Sequence, residues 1–164
     1  MQIYIQNIRQ GFSQFTEREG LTFLREPYRS VYNGPAHITV DMERKRRQIR
    51  ANITLKMTVQ RVCDDCLTEF SESIELQSER IIVIGANELS EDVEVITLPA
   101  DAHQLDLAPV LGEMIVLNHP MKILCKPDCK GLCPGCAADL NISECSCRNE
   151  SIDPRWEELK KLLK

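Results

Sequence analysis

Eight cysteines in four close pairs are the residues of this chain that are best suited to chemistry. Six of them fall within the segment LCKPDCKGLCPGCAADLNISECSC, and the other two form a CDDC motif in the first half of the chain. Cysteines at this density serve disulfide scaffolds, dithiol redox centres or metal sites. The pairs are Cys63/Cys66, Cys125/Cys129, Cys133/Cys136 and Cys145/Cys147.

Metal binding is the interpretation that the context of these pairs favours. A redox Cys-x-x-Cys motif usually begins a helix in a βαβ setting, which this sequence does not show. The N-terminal MQIYIQNIRQGFSQF has no features of a secretory signal, and no run of 18 apolar residues suggests a membrane span. We therefore expect a cytoplasmic chain with reduced thiols and no membrane partner. Turn residues such as Pro134 and Gly135 can direct both sulfurs of a pair at one ion.

Two pairs complete one tetrahedral four-cysteine Zn²⁺ site, so four pairs predict two such sites. The loop between the last two pairs is short and loses little entropy on closing. The first predicted site therefore comprises Cys133, Cys136, Cys145 and Cys147. The second comprises Cys63, Cys66, Cys125 and Cys129. Other pairings remain open, as does ligation of an iron–sulfur cluster by four cysteines.

The predicted sites are structural rather than catalytic. A catalytic zinc keeps an open coordination position and usually has histidine among its ligands. The three histidines are His37, His103 and His119, and none lies beside a cysteine pair. The His-x-Glu motif of zinc deaminases is also missing. We therefore expect a protein that is not an enzyme and takes no small-molecule substrate.

Alternating apolar and polar residues predict the strands that position the first cysteine pair. AHITVDM and QIRANITLKMTVQ alternate strictly, which is typical of strands with one buried and one wet face. We expect them to pair as a hairpin across ERKRRQ. A third run follows the CDDC motif and continues through ERIIVIG, and VEVITL predicts a further strand.

From residue 107 onward, the spacing of the apolar residues changes to that of a helix. Its apolar face is formed by Leu107, Val110, Leu111, Met114 and Ile115. Asp106 is suited to cap its start and Pro120 to end it. A short terminal helix, DPRWEELKKLLK, is predicted to begin at Asp153 and Pro154.

These elements predict an α+β fold. It combines an antiparallel β-meander, a central amphipathic helix and a Cys-rich zinc-binding C-terminal segment. We expect a β-rich domain over residues 1–120, ending in the amphipathic helix. Residues 121–164 would then form a zinc-binding segment and terminal helix that pack on the same domain.

The motifs themselves resemble a known family. CDDCL between strands, followed by LCKPDCKGLCPGCAADLNISECSC and DPRWEELKKL, is similar to the bacterial DUF177 or YceD family, the large ribosomal RNA subunit accumulation proteins. The resemblance covers roughly residues 36–164 and implies a role in accumulating large-subunit ribosomal RNA without enzymatic activity. Asp65 departs from the family, in which arginine is common. Ala137 replaces a usual glycine, and at positive φ it would be strained by about 1 kcal/mol.

One dense basic run, RKRRQIR, could contact RNA from the predicted hairpin tip. Its cations are Arg44, Lys45, Arg46, Arg47 and Arg50. Long cationic side chains at a tip can reach a phosphate backbone without being buried. The net charge of −5 argues against coating nucleic acid by bulk charge.

The expected partner is ribosomal RNA or a large-subunit precursor. The alternative is a zinc-containing protein-binding adaptor with a protein partner and an indirect effect on assembly.

Overall fold

The structure, a computed structural model, describes residues 1–85, 94–145 and 147. The chain forms two compact units. One comprises Met1–Arg61 and Phe70–Met121, and the other comprises Val62–Glu69 and the described residues from Lys122 onward. The second unit therefore includes the first cysteine pair. The predicted domain boundary between residues 120 and 121 stays a prediction. The predicted terminal helix lies outside the described residues.

Strands dominate the described chain. Its seven strands are β1 (Gln2–Tyr4), β2 (Gly11–Gly20), β3 (Pro35–Lys45), β4 (Gln48–Val62), β5 (Glu69–Ile84), β6 (Val95–Leu98) and β7 (Gln104–Asp106). A 3-10 turn over Ile5–Asn7 and the helices α1 (Tyr28–Val31) and α2 (Ala108–Leu117) complete it. Five strands form one sheet in the order β2-β3-β4-β5-β6, and β1 pairs with β7 in a second sheet.

The predicted hairpin forms the centre of the large sheet. β3 and β4 pair antiparallel, with Ile38 opposite Leu55 and a two-residue turn at Arg46 and Arg47. Every second residue is buried from Ala36 to Met42 and from Ile49 to Arg61, because one face covers the core and the other meets solvent. The predicted α+β fold with a mainly antiparallel sheet is confirmed. β6 departs from the meander, because it pairs parallel to β5.

Strand β2 is the long element that the sequence pattern did not reveal. It pairs antiparallel with β3 over ten residues, from Gly11 opposite Arg44 to Gly20 opposite Pro35. It is the first strand of the sheet order, and none of its side chains is fully buried: Ser13, Phe15 and Glu19 are partly buried and the other seven residues are exposed. The sequence GFSQFTEREG therefore carries no alternation that would mark it as a strand.

Helix α2 buries the predicted apolar face. Leu107, Val110, Leu111, Met114 and Ile115 are all buried. The helix begins one residue later than expected, at Ala108, whose N–H donates to the Asp106 carboxylate at 3.0 Å. Asp106 therefore still satisfies one of the free N–H groups at the helix start. No described helix combines the length and apolar character needed to cross a bilayer.

Arg61, on β4, is a buried charge that the alternation did not predict. Its Nε lies 2.9 Å from the Glu72 carboxylate, and its Nη2 donates to the Tyr32 hydroxyl at 3.4 Å. That hydroxyl is also hydrogen-bonded to Nδ1 of His119, at 2.9 Å. Burial raises the pKa of Tyr32, so its hydroxyl stays protonated at neutral pH. This network links the ends of α1 and α2 to the sheet.

The core of the hairpin yields a stability prediction. Leu55→Ala removes a fully buried side chain opposite Ile38, and we expect it to lower the free energy of unfolding by about 2–5 kcal/mol. Asn52→Ala, on the exposed face of the same strand, should change it by less than about 0.5 kcal/mol. Urea denaturation at fixed metal content measures both values. Equal effects of the two substitutions would contradict this assignment of the faces.

Candidate metal centres and the basic hairpin tip

The first cysteine group joins two distant parts of the chain. It comprises Cys63, Cys66, Cys125 and Cys129, whose sulfurs all lie within 4.8 Å of one another. The Sγ atoms of Cys63 and Cys129 are 3.7 Å apart, and those of Cys66 and Cys125 are 3.6 Å apart. With Zn–S bonds near 2.3 Å, the edge of a sulfur tetrahedron is about 3.8 Å. The spacing therefore fits a four-thiolate zinc ion, and none of the cysteines forms a disulfide.

The second cysteine group is local. It comprises Cys133, Cys136, Cys145 and Cys147, again with all sulfurs within 4.8 Å of one another. The Cys145 sulfur lies 3.2 Å from that of Cys133 and 3.3 Å from that of Cys136, slightly closer than a tetrahedral edge. Cys136 and Cys147 are exposed. The structure thus brings the eight cysteines together in the two groups that the loop-length argument favoured.

Both Cys-x-x-Cys knuckles share one backbone conformation. In each, the residue after the second cysteine donates its N–H to the carbonyl of the first, at 2.9 Å for Leu67 and 2.8 Å for Ala137. These two residues adopt left-handed conformations, with φ of 58° and 57°. The positive φ considered for Ala137 from the sequence is therefore confirmed, with the backbone strain that it implies. Leu67 carries the same strain in the first knuckle.

The two aspartates of CDDC support the first group. The Asp64 carboxylate accepts a hydrogen bond from the N–H of Ile123 at 2.6 Å. The Asp65 carboxylate forms an ion pair with Lys122 at 2.9 Å, and its backbone carbonyl accepts from Leu132 N–H at 3.0 Å. Asp65 therefore contributes to folding of this unit.

The ADLN motif supports the sulfurs as well. The Asn141 side-chain amide donates to the Cys129 sulfur at 3.4 Å, and its oxygen accepts from Lys130 N–H at 3.0 Å. Asp139 in turn accepts from the Asn141 backbone N–H at 2.8 Å. Because this amide contacts the Cys129 sulfur and the Lys130 backbone together, Asn141 is a supporting residue that positions the first group. The sequence marked the motif without indicating this contact.

The local fields favour thiolates at one cysteine of each group. Burial acts to raise the pKa of Cys63, but N–H donors, led by that of Cys125, lower it to about 6. The Cys145 thiol donates to Cys133 and lowers the pKa of Cys133 to about 6, while the pKa of Cys145 rises to about 12. A thiol with a pKa near 6 is mostly thiolate at pH 7, which is the form that binds metals.

The five cations predicted to contact RNA fall into three classes. Arg44 is half-buried and donates to the carbonyl of Ile8 at 2.9 Å. Lys45 and Arg50 are exposed but form ion pairs with neighbouring glutamates, at 2.8 and 3.0 Å. Arg46 and Arg47 are exposed at the turn, and their side chains have no hydrogen-bond or ion-pair partner among the described residues. Among the described residues, the structure thus shows partners for three of the five cations and none for the side chains of Arg46 and Arg47.

The two cysteine groups lead to a prediction of metal content. We expect the purified chain to hold two zinc ions, and Cys66→Ser or Cys136→Ser to hold one, because each removes a ligand of a different group. Ser143→Ala, which removes no ligand, is the matched control and should retain two. Elemental analysis gives the count, and thiol titration with and without a chelator shows which cysteines were protected. Iron in place of zinc, or eight freely reactive thiols, would contradict the assignment.

The left-handed residue at position 137 yields a second prediction. Ala137→Gly removes a steric cost of roughly 1–2 kcal/mol and adds backbone entropy to the unfolded chain, so we expect a net stabilisation of about 0.5–1 kcal/mol. Ala138→Gly adds the same entropy at a residue without positive φ and should lower stability. Thermal melts at fixed zinc concentration compare the two variants. Equal shifts in the same direction would show that strain at position 137 is not relieved.

Comparison with known proteins places the chain in a family. Residues 51–163 match the family described as Large ribosomal RNA subunit accumulation protein YceD. An uncharacterized protein of Bacillus subtilis is 25% identical, over 93% of this chain and 87% of that protein. The large ribosomal RNA subunit accumulation protein YCED homolog 1, chloroplastic, of Arabidopsis thaliana is 22% identical over 73% of this chain and 46% of that one.

Stronger identity is confined to a shorter stretch. An uncharacterized protein of Mycobacterium tuberculosis is 42% identical over 59 residues, which are 36% of this chain and 28% of the relative's length. No solved structure matches the chain at a significant level. The family match covers more than half of the chain, and the family predicted from the cysteine motifs is confirmed. The chain belongs to the YceD family of large ribosomal RNA subunit accumulation proteins.

Proposed function

We propose that the chain is a non-catalytic, zinc-stabilised factor for large ribosomal subunit biogenesis. It acts in the cytoplasm by binding ribosomal RNA or an assembly precursor. The observation that carries the RNA-binding step is the hairpin tip, where Arg46 and Arg47 are exposed without partners among the described residues. Membership of a family described by accumulation of large-subunit ribosomal RNA supports the choice of RNA.

A structural role for the metal follows from the ligand sets. Each group supplies four cysteine sulfurs, and four thiolates complete the tetrahedron of a structural zinc. When bound, zinc would supply a cross-link between segments that few apolar residues hold together, so metal binding would be coupled to folding. A closed ligand set leaves no position for a reacting water, which supports a non-catalytic factor.

A local basic tip is compatible with an acidic chain. The net charge is −5, so phosphate is repelled by much of the surface and attracted at the tip. Ion pairs at Lys45 and Arg50 reduce the field of those two cations, whereas Arg46 and Arg47 have no such partner in the part of the chain that the structure describes. We therefore propose that these two arginines contact the phosphate backbone, with Lys45 and Arg50 beside them. Arg44 also holds the fold of the tip through its hydrogen bonds to backbone carbonyls, and its contact with RNA stays part of the proposal.

A second candidate function rests on the exposed end of α2. Val116 and Leu117 are 43% and 73% exposed, and Met121 is fully exposed. They continue from an apolar groove that includes Phe23 and Tyr28. A surface of this kind suits a protein partner. In this alternative the chain is a protein-binding adaptor, and its effect on ribosomal RNA is indirect.

The tip makes a specific prediction for ribosome association. Arg46→Glu combined with Arg47→Glu should weaken sedimentation of the protein with large-subunit precursors, and the difference from the unaltered protein should narrow as salt is added, because the variant makes fewer phosphate contacts. Arg18→Glu with Arg29→Glu makes the same charge change at two other exposed arginines, neither of which lines the groove beside α2, and should leave association intact. Gradient profiles of native lysates, probed for the protein, report the distribution. Equal behaviour of both double variants would remove the tip from the proposal.

Ribonuclease treatment separates the two candidate functions in the same gradients. Collapse of the association after digestion supports direct RNA binding. A complex that survives digestion and is lost in Leu117→Asp favours the adaptor, because that substitution places a charge on the exposed end of α2 without removing a buried residue.

A further inference from the structure

A cavity of about 490 Å³ lies beside the hairpin tip and has no role in the features described so far. It is lined by Tyr4, Ile5, Gln6, Arg44, Ala102 and His103. Its walls come from the end of β1, the following turn, β3 and the residue before β7. The Ile5 N–H donates to the His103 carbonyl at 3.0 Å, which joins two of these walls. The volume is within the range of roughly 300–1,000 Å³ in which proteins hold small ligands.

The side chains around this cavity suit a nucleotide. Tyr4 is 49% exposed, although a ring of its size is usually packed against other residues. About half of this residue is therefore accessible to a nucleobase that would stack on its ring. Gln6 and His103 are exposed beside it, and the amide of Gln6 offers both a donor and an acceptor to the edge of a base.

Arg44 supplies the charge and connects the cavity to the tip. Its Nε donates to the Arg46 carbonyl at 3.2 Å, and its Nη1 donates to the Ile8 carbonyl at 2.9 Å. The two N–H groups of Nη2 have no partner in the part of the chain that the structure describes. A guanidinium held at two carbonyls has already lost most of its freedom, so it can bind phosphate at a lower entropic cost.

We propose that this cavity binds one unpaired nucleotide of RNA, with its base on Tyr4 and its phosphate at Arg44. The inference rests on the proposed function and specifies the RNA as single-stranded at this point. Bases inside a duplex are stacked on each other and do not offer a face to a side chain, whereas unpaired bases do. Arg46 and Arg47 would hold the phosphates of the adjoining nucleotides.

Binding of a labelled single-stranded oligouridine to the full zinc-loaded chain tests the proposal. Tyr4→Ala should weaken binding by about tenfold, as expected for loss of one stacked base, and should leave the salt dependence unchanged. Tyr4→Phe should retain the affinity because it keeps the ring. Phe12→Ala is the matched control. Phe12 is an aromatic residue that is 69% exposed. It lies opposite Glu43, on the face of the sheet that Arg44 does not share.

A spectroscopic readout distinguishes stacking from a purely structural effect. The chain has one tryptophan, Trp156, which can be replaced by phenylalanine. Tyr4→Trp in that background places the only indole at the cavity, and we expect oligouridine to quench its fluorescence on binding. The corresponding Phe12→Trp protein should not be quenched. Circular dichroism and zinc content confirm that each variant is folded.

The outcomes separate failure of the cavity from failure of RNA binding. Arg46→Glu with Arg47→Glu should reduce affinity and flatten the salt dependence, by about 0.7 in logarithmic slope per lost phosphate contact. If that variant shows both changes while Tyr4→Ala binds oligouridine normally, nucleotide binding in the cavity is refuted and the proposed function stands. A loss at Phe12 rather than Tyr4, or an equal loss with duplex RNA, also overturns it. If the unaltered chain binds no RNA, both proposals fail.

Discussion

Closure of the first cysteine group is the constraint on which the second unit depends. Cys63 and Cys66 lie on one short segment, and Cys125 and Cys129 lie beyond a stretch that belongs to the other unit. Bringing four thiols within 4.8 Å is unfavourable without a cation, because sulfurs that share a small volume repel as thiolates. The aspartates of CDDC, Lys122 and Asn141 add hydrogen bonds and an ion pair around the group. A bound metal ion would be coordinated by all four sulfurs and would hold the two segments together.

The sequence predicts the parts of the fold in which burial has a simple period. β3 and β4 each bury one face, so their alternation is complete, and the face of α2 follows the helical repeat. β2 escapes detection because an edge strand buries little on either face. The parallel pairing of β6 and the pairing of β1 with β7 depend on contacts between distant segments, which no local pattern encodes.

The candidate sites show the same division between local and distant causes. A short loop between Cys136 and Cys145 is consistent with the observed grouping, but Cys129 and Cys133 are closer still along the chain, so the fold decides which pairs meet. The left-handed Leu67 and the contact from Asn141 to Cys129 depend on the closed structure. The sequence predicts Arg44 as one of the cations of the hairpin tip. Because Arg44 shares the parity of the buried residues of β3, its side chain lies on the core-facing side and donates to the Ile8 carbonyl.

The order of the cysteines along the chain has a consequence for synthesis. Cys63 and Cys66 leave the ribosome roughly 60 residues before Cys129, an interval of about 3–12 s at ordinary rates of translation. Throughout this interval the growing chain displays a dithiol knuckle without its two partners. On the proposal that the finished group holds zinc, the nascent chain can supply only two of the four ligands during this interval. The first metal centre would therefore be completed only after Cys129 has been made.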